Sequence, residues 1–339
     1  MRVTRDIGKL VPLATATALL AGLPFVGVGE FTITLLTEAL IFGIWAMSLD
    51  LLVGYAGLVS FGHAAAFGLA AYSAGYFARE VMEDFFAALL VAEAVNVLVA
   101  LVVGFVIARV SGIAFAILTL CIAQVLFTIA VIWRSLTNGM DGMVGVPLPK
   151  IFGISLASGT AFYLLTVFCL VGVYLALTRL VDSPFGRTLQ ALRASEERAA
   201  SIGINVHLHK WLAFVLSWAV AALAGTLMVF LKAGTTPMSL HWTESGNVLV
   251  MAILGGIGTL LGPVIGATVF VFVRDEFTSR FQAWQFVFGL VFVVVVLAFP
   301  TGLVGLLNRI HGLRRRTRSA GEFPAVIKRI RSSLWRARL

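Results

Sequence analysis

Apolar segments long enough to cross a bilayer recur along most of this chain, with short polar stretches between them. A transmembrane helix needs about 20 consecutive, mostly apolar residues. The clear segments are 10–28, 31–53, 60–78, 85–107, 112–133, 158–178, 211–231 and 286–304. A further apolar segment, 247–273, is ambiguous, because glycines and a proline interrupt it and its length suits either one crossing or two shorter helices. The pattern predicts an all-α polytopic membrane protein.

One polar stretch between apolar segments carries several helix-boundary signals. Residues 179–210, which we call the polar loop, read RLVDSPFGRTLQALRASEERAASIGINVHLHK. Ser183 followed by Pro184, and later Ser195, are typical of helix starts, whereas Gly203 is typical of a helix end. The polar loop is therefore predicted to form a short helical hairpin.

The first predicted helix of the polar loop has one apolar face. Phe185, Leu189 and Leu192 follow the spacing i, i+4, i+7, which places them on the same side of a helix. In the second helix Glu196 and Glu197 occupy the first turn, where the helix dipole favours acidic residues. A small apolar helix with charged edges can dock into a groove on a soluble partner. The alternative is a solvated loop that only joins two spans.

The distribution of charge sets the predicted topology. The chain is 60% hydrophobic and 12% charged, with a mean hydropathy of +1.01 and a net charge of +9. Basic residues concentrate in residues 1–9, in the polar loop and in the tail from Arg309 to Arg338. Because basic loops stay on the cytoplasmic side, both termini and the polar loop are predicted to be cytoplasmic. A tail on that side requires 247–273 to turn back at its glycines, which gives ten crossings.

The same topology assigns four segments to the extracytoplasmic side. These segments are 79–84, 134–157, 232–246 and 274–285. We expect one transmembrane domain over 1–310, which contains the polar loop, and a basic cytoplasmic tail over 311–339 that either lies on anionic lipid or is disordered. Nucleic-acid binding is not expected, since the basic residues flank membrane spans and no aromatic-basic surface accompanies them.

The chain lacks the motifs of common enzymes. No G-x-x-x-x-G-K-[ST], H-E-x-x-H or G-x-S-x-G motif occurs, and no Cys/His cluster suggests a metal site. We therefore expect no catalytic residue, no metal and no nucleotide site in this chain. Charge is costly at membrane depth, so ionisable residues there suggest function. They are Glu38, Asp50, His63 and Glu93. The alternatives are an interfacial position for Asp50, a mouth position or a paired neighbour for Glu38 and Glu93, and hydrogen-bonded packing for His63.

Glycines interrupt two of the apolar segments. The first interruption reads GYAGLVSFGHAAAFG over 54–68, and the second lies within 247–273. Broken helices survive in a membrane only where protein or a water-filled cavity satisfies the freed backbone groups, and in transporters they point to the substrate pathway. We predict a pathway role for the glycine clusters, with close helix packing as the alternative for any single glycine.

Four segments together resemble a known family. SPFGRTLQALRASEERAASIGIN (183–205), with its E-x-A-A-x-x-G pattern, is similar to the coupling loop of branched-chain amino acid ABC transporter permeases of the LivM type. SLDLLVGYAGLVSFGHAAAFGLAAY (48–72), MAILGGIGTLLGPVIGA (251–267) and FPTGLVG (299–305) are also similar to that family's pattern. The resemblance covers roughly residues 30–308 and leaves the basic tail outside.

The resemblance implies a transport subunit of a bacterial inner membrane, with a vitamin-B12-importer-like (type II) ABC permease fold of ten helices. The implied partners are a second homologous permease, two cytoplasmic ABC ATPases that bind the ATP, an extracytoplasmic substrate-binding protein and membrane lipid. No cofactor is implied for the chain itself. The implied ATPase-coupling residues are Arg187, Arg193, Glu196, Glu197, Ala199 and Gly203. The implied translocation-pathway candidates are Gly54, Gly57, Ser60, Gly62, His63, Gly255, Gly256 and Gly258.

The implied substrates are leucine, isoleucine and valine, and three alternatives stay open. The sequence has no determinant that excludes a urea or short-chain amide importer of the same superfamily. A stand-alone secondary transporter is disfavoured by the polar loop and by the lack of an acid–base ladder. A structural scaffold of a membrane complex does not need glycine-broken helices.

The topology makes one directly testable prediction. A cysteine introduced at Ala283 in an otherwise cysteine-free chain should react with a membrane-impermeant maleimide added from outside, because ten crossings place 274–285 on that side. Labelling of inside-out against right-side-out vesicles measures this. Reaction only from the cytoplasmic face would refute the ten-crossing topology.

Overall fold

All long elements of the chain are helices in the computed structural model, which describes residues 17–280, except 19, 152–153 and 157, together with 286, 289 and 302–305. The α-helices are α1 (Glu30–Asp50, extended by a π-helical turn over Leu51–Ala56), α2 (His63–Glu80), α3 (Phe85–Ile107), α4 (Gly112–Ile132), α5 (Arg134–Thr137), α6 (Gly159–Asp182), α7 (Pro184–Ala194), α8 (Glu196–Ser201), α9 (Val206–Lys232), α10 (Trp242–Gly255) and α11 (Leu261–Arg280). Short 3₁₀ helices lie at Leu23–Val26, Gly139–Asp141 and Pro237–Leu240.

Short strands occur only in the connections of the described chain. They are β1 (Met143–Val144), β2 (Lys150–Ile151), β3 (Ile154–Ser155) and β4 (Gly234–Thr235). β1 pairs antiparallel with β4, so that Met143 lies opposite Thr235, and β2 pairs antiparallel with β3. The β1–β4 pair ties the connection after α5 to the connection after α9.

The predicted apolar spans that fall within the described residues are helices. Five of these helices, α1 with its π-helical turn, α3, α4, α6 and α9, are long and apolar enough to cross a membrane. The ambiguous segment 247–273 forms α10 and α11, which pack against each other, so the prediction that it turns back is confirmed. Residues 10–16 of the first predicted span, most of 286–304 and the tail lie outside the described residues, and the count of ten crossings stays a prediction.

The bundle has two polar ends. The polar loop lies at one of them, and we call the opposite one the far end. At the far end the Lys150 ammonium lies 2.5 Å from the Glu83 carboxylate. Also there, the Glu38 carboxylate accepts hydrogen bonds from Lys232 Nζ at 2.6 Å and from Arg274 Nη2 at 2.5 Å. Residues from all four segments predicted to be extracytoplasmic therefore meet at one end, and the pairing considered for Glu38 is confirmed.

Two helices begin inside the bundle instead of at one of its ends. The backbone N–H of Ala64, at the start of α2, donates to Ser245 Oγ in the first turn of α10 at 2.8 Å. His63 contacts Ser217, which lies roughly 16 Å along α9 from its first residue. From this meeting point α2 runs to the far end and α10 runs to the polar loop. The extracytoplasmic assignment of 232–246 is therefore wrong for its second half, where the chain re-enters the bundle and buries Ser245.

The two half-depth helices occupy equivalent places in the chain. Each follows a long helix and a connection without α-helix, because α1 is followed by residues 57–62 and α2, while α9 is followed by 233–241 and α10. The pair α1 and α2 runs across the bundle in the opposite direction to the pair α9 and α10. Such inverted, discontinuous helices are common in transporters, where their N-termini meet near the middle of the membrane.

Close approach of α9 to α2 depends on a glycine. A Cβ placed at Gly225 would meet the backbone carbonyl of Phe67, whereas a Cβ placed at Gly172 on the exposed side of α6 has nothing within 4 Å. Both glycines lie inside long helices, so they form a matched pair that differs in packing.

We expect Gly225→Ala to lower the free energy of unfolding by about 1–3 kcal/mol, because the added methyl group forces α9 away from α2. Gly172→Ala is the control, and it should leave stability unchanged or raise it by up to about 1 kcal/mol, since alanine favours helix. Thermal unfolding of the detergent-solubilised protein measures both. Equal unfolding temperatures for the two variants would contradict the packing argument.

Candidate functional site

The helices of the polar loop begin and end where the sequence predicts. Ser183 Oγ accepts the N–H of Gly186 at the start of α7, and Ser195 Oγ accepts the N–H of Arg198 at the start of α8, both at 3.3 Å. Gly203, just after α8, has a φ of +86°, a left-handed conformation that glycine adopts without steric cost. The predicted helical hairpin is confirmed.

The apolar face of α7 points into the chain's own bundle. Leu189 and Leu192 are buried, and the ring of Phe185 stacks on His209 with ring centroids 5.7 Å apart. α7 packs on α6 and on the π-helical turn that follows α1. The expectation that this face docks into a partner's groove is wrong, because its side chains are already covered. The side of α7 that stays exposed is the opposite, polar one.

A buried lysine fastens the polar loop to α4. Lys210, near the start of α9, is only 2% exposed, and its ammonium donates to the Val110 carbonyl and the Ser111 hydroxyl, each at 2.6 Å. The ammonium also lies 3.3 Å from the Glu196 carboxylate, which accepts from Ser111 Oγ at 2.6 Å. Sequence reasoning missed Lys210 as a site residue, although a basic residue at the mouth of an apolar span was the available signal.

Arg193 connects the polar loop to the glycine-interrupted segments. Its guanidinium donates to the carbonyl of Gly54 in the π-helical turn. A Cβ placed at Gly57 would lie 2.9 Å from Arg193 Cγ, and one placed at Gly258 would lie 3.7 Å from Arg193 Nη1. Gly57 therefore leaves room for the arginine side chain, which also lies beside Gly258, so one residue of the polar loop reaches both glycine-interrupted segments.

Asp50 holds the same two segments together. It is fully buried, and its carboxylate accepts the N–H groups of Gly258 at 2.6 Å and Leu260 at 3.2 Å. The Tyr55 hydroxyl donates to the Gly258 carbonyl at 3.0 Å. Asp50 is therefore enclosed by protein at the end of α1 that lies toward the polar loop. The turn between α10 and α11 uses its carboxylate as an acceptor because no helix partner is available to these N–H groups.

The six residues implied in ATPase coupling divide into two groups. Those on the exposed surface of the polar loop are Arg187, Glu197 and Gly203. Those with contacts inside the chain are Arg193, Glu196 and the buried Ala199. The exposed surface also presents Ile202, which is 75% exposed and which sequence reasoning did not single out. A large apolar side chain beside charged groups is suited to a protein–protein contact.

A serine–histidine chain supports the backbone where α2 begins. His63 is buried, with Nδ1 3.1 Å from Ser60 Oγ and Nε2 2.7 Å from Ser217 Oγ. Ser217 Oγ donates to the Ser48 carbonyl, so Nε2 must carry the hydrogen and Nδ1 accepts from Ser60. A neutral imidazole thus satisfies every one of these bonds. His63 therefore fits the alternative of a hydrogen-bonded packing residue. Within the described parts of the chain, no group of His, Cys, Asp and Glu side chains is suited to a metal ion.

The implied pathway residues gather at two depths. Toward the polar loop, around Asp50 and the end of α10, the structure places Gly54, Gly57, Gly255, Gly256 and Gly258. Halfway into the bundle, at the start of α2, it places Ser60, Gly62 and His63. The two sets lie in the two interrupted segments that the sequence indicated, and both sets contact helices of the other half of the chain.

Known permease proteins are similar to most of this chain. The family model described as "Branched-chain amino acid transport system / permease component" matches residues 31–296. The high-affinity branched-chain amino acid transport system permease protein LivM of Salmonella typhimurium is 25% identical over 83% of this chain and 71% of its own length. LivM of Escherichia coli is 26% identical over the same shares. LivH, a permease protein of the Salmonella typhimurium system, is 30% identical over 39% of this chain and 43% of its own length. No solved structure matches the chain.

The anchor at Lys210 is testable by a double-mutant cycle. Glu196→Gln should destabilise the protein, because it removes the carboxylate that compensates a buried ammonium. Lys210→Met in the Glu196→Gln background should recover part of this loss, with a coupling energy of about 0.5–3 kcal/mol. Thermal unfolding of the four proteins measures the coupling. Strictly additive effects would show that the two side chains do not interact.

Proposed function

This chain belongs to the family of branched-chain amino acid transport system permease components, and we propose that it is the membrane-spanning permease subunit of an ATP-driven ABC importer in a bacterial inner membrane. The observation that carries the proposal is that the polar loop both presents an exposed surface and bonds to the interior of the bundle. The loop has an exposed surface, and Arg193, although it is itself exposed in part, reaches both glycine-interrupted segments.

The proposal assigns the exposed side of the polar loop to a cytoplasmic ATPase, with two ATPases in the assembly. The chain itself has no phosphate-binding motif, so in an ATP-driven importer the ATP is bound by a partner. Arg187 and Glu197 supply charge on this side, and Ile202 supplies an exposed apolar side chain whose removal from water in a contact is favourable. A mixed surface of this kind supports docking better than the solvated-loop alternative does.

Arg193 and Asp50 provide the mechanical connection in the proposed mechanism. Movement of α7 displaces Gly54 through the Arg193 hydrogen bond, and Asp50 transmits the displacement to the turn after α10. Gly54 lies in a π-helical turn, a feature that often marks functional sites. The half-depth helices α2 and α10 are the elements that switch access between the two sides of the membrane. Substrate affinity comes mainly from an extracytoplasmic binding protein.

The second permease subunit of the proposal rests on the similarity to LivH and on the apolar surface of the chain. α3 and α4 expose many large apolar side chains, among them Leu90, Leu98, Val102, Ile113 and Ile117. In a membrane such faces contact either lipid or another transmembrane subunit. We propose that part of this surface meets a homologous permease and that the remainder meets lipid. The ten-helix, vitamin-B12-importer-like arrangement belongs to the same proposal.

Leucine, isoleucine and valine are the proposed substrates, because the LivM relatives are permeases of branched-chain amino acid systems. A urea or short-chain amide importer is the alternative within the class. A stand-alone secondary transporter is the alternative outside it. Purification of the full chain from its host in mild detergent, followed by mass spectrometry, separates these classes. Two ATPases and a second permease should copurify, and recovery of the chain alone after gentle crosslinking would contradict the importer.

A residue of the polar loop that bonds to the bundle and one that does not should have different roles. Glu197→Lys should weaken ATPase recovery, because it reverses a charge on the exposed surface. Arg193→Gln should keep the ATPases bound but reduce ATP-dependent uptake by about tenfold or more, because it weakens the charge-assisted bond to Gly54. Copurification and uptake of labelled leucine into proteoliposomes measure the two effects.

The control for these variants is at the far end. Arg79→Gln changes an exposed arginine whose carboxylate partner is Glu80, at 2.8 Å, and should alter neither assembly nor uptake. Wild-type uptake by the Arg193→Gln complex would show that the Arg193 contact does not transmit movement. Undiminished ATPase recovery with Glu197→Lys would remove that residue from the docking surface.

A further inference from the structure

A cavity of about 460 Å³ opens at the end of the bundle where the polar loop lies. The turn between α3 and α4 and the beginning of α9 form most of its wall. Five residues that line it carry polar or aromatic side chains, namely Phe105, Arg109, Glu196, His207 and Lys210. Because the apolar helix α3 ends beside the cavity, the cavity lies at the height where a membrane changes from acyl chains to headgroups.

The cavity has one positive charge without a partner inside the chain. The Lys210 ammonium and the Glu196 carboxylate lie 3.3 Å apart and compensate each other. Arg109 is exposed, and no carboxylate of the described residues forms an ion pair with it. The charge available to a ligand is therefore one guanidinium, a group that pairs well with phosphate oxygens.

Aromatic side chains hold this guanidinium in place. Its Cζ lies 4.9 Å from the centroid of the Phe105 ring, which is a cation–π contact. The Phe105 ring makes edge contacts with His207 and Trp211, with ring centroids 5.1 Å and 5.7 Å apart. The Trp211 indole N–H donates to the Leu101 carbonyl at 3.0 Å. Tryptophan with a satisfied N–H at the end of an apolar helix is typical of the headgroup region of a membrane.

Two exposed apolar stripes run from the cavity along the helices. Leu98, Val102 and Phe105 are exposed on α3 at the spacing i, i+4, i+7, and Arg109 continues the same face. On α9, which packs on α3, residues at intervals of four are exposed, namely Leu208, Leu212 and Leu216. A cation that continues into apolar stripes is complementary to an amphiphile. A soluble partner protein has no need of the stripes.

We propose that this cavity binds the phosphodiester of an anionic phospholipid, which pairs with Arg109 while its acyl chains lie along the stripes of α3 and α9. Basic pockets between transmembrane helices are suited to such headgroups. A zwitterionic phospholipid fits less well, because its ammonium needs a carboxylate and Glu196 already accepts from Lys210 and Ser111. Such a site goes beyond the proposed function and does not depend on it, because a lipid can bind whether or not the chain couples to an ATPase.

Native mass spectrometry of the purified full chain tests the proposal, with phosphatidylglycerol and phosphatidylethanolamine of identical acyl chains as the probes. Wild type should bind the first phosphatidylglycerol about tenfold more tightly than the first phosphatidylethanolamine, because only the second lipid brings an ammonium that stays unpaired. Arg109→Gln should remove most of this preference. Arg109→Lys should keep most of it, because a phosphate also pairs with an ammonium.

The matched control is Arg198→Gln, which removes the same charge from an exposed arginine of the polar loop that does not line the cavity. It should leave the lipid preference unchanged. Equal affinities of wild type for the two phospholipids would overturn the proposal. A preference that survives in Arg109→Gln, or that falls equally in Arg109→Gln and Arg198→Gln, would overturn it as well.

Two further measurements separate the lipid from other ligands. Excess inorganic phosphate should not displace phosphatidylglycerol, because it makes no contact with the apolar stripes, and displacement would assign the cavity to a soluble anion instead. Arg109→Gln should copurify with the same proteins as wild type does. Loss of a copurifying protein together with an unchanged lipid preference would assign Arg109 to a protein contact and refute the lipid site.

Discussion

The hydrogen bonds of the buried Asp50 carboxylate are the interaction on which the rest of the structure depends. In a low-dielectric interior an unpaired backbone N–H costs several kcal/mol, so a chain can leave regular helix only where other groups replace the lost partners. Asp50 supplies these partners to Gly258 and Leu260. The serine hydroxyls at the start of α2 serve the same purpose. The side chains that accept the freed backbone N–H groups therefore also connect the interrupted helices to each other.

α1 and α9 relate the two polar ends of the bundle. α1 carries Glu38 at the far end and Asp50 toward the polar loop, and each acid binds groups from the second half of the chain. α9 carries Lys210 at the polar loop and Lys232 at the far end, roughly 33 Å apart along the helix. These two continuous helices therefore connect the contacts of the polar loop with the charged cluster at the far end.

The polar loop shows why amphipathicity alone does not identify a docking surface. The apolar side of α7 could have covered either a partner or the chain itself, and the spacing of Leu189 and Leu192 is the same in both cases. Burial against the chain's own helices leaves the charged side outward. Likewise Glu196 has the sequence signature of a first-turn acid, but its carboxylate bonds to Ser111 and Lys210. Whether a residue of this loop can contact a partner depends on whether other helices of the chain already bury its side chain.

Local signals in the sequence determined the helical class, most span boundaries, the caps of α7 and α8, and the break between α10 and α11, because hydrophobic length, capping and glycine act over a few residues. The two half-depth helices and the charged cluster of Glu38, Lys232 and Arg274 were decided by tertiary structure alone. Glu38, Lys232 and Arg274 are far apart in the chain, as are Arg193 and Gly54, and no local pattern indicates that they meet. Sequence spacing is therefore informative about elements, whereas long-range pairing of charges and of freed backbone groups exists only once the bundle has packed.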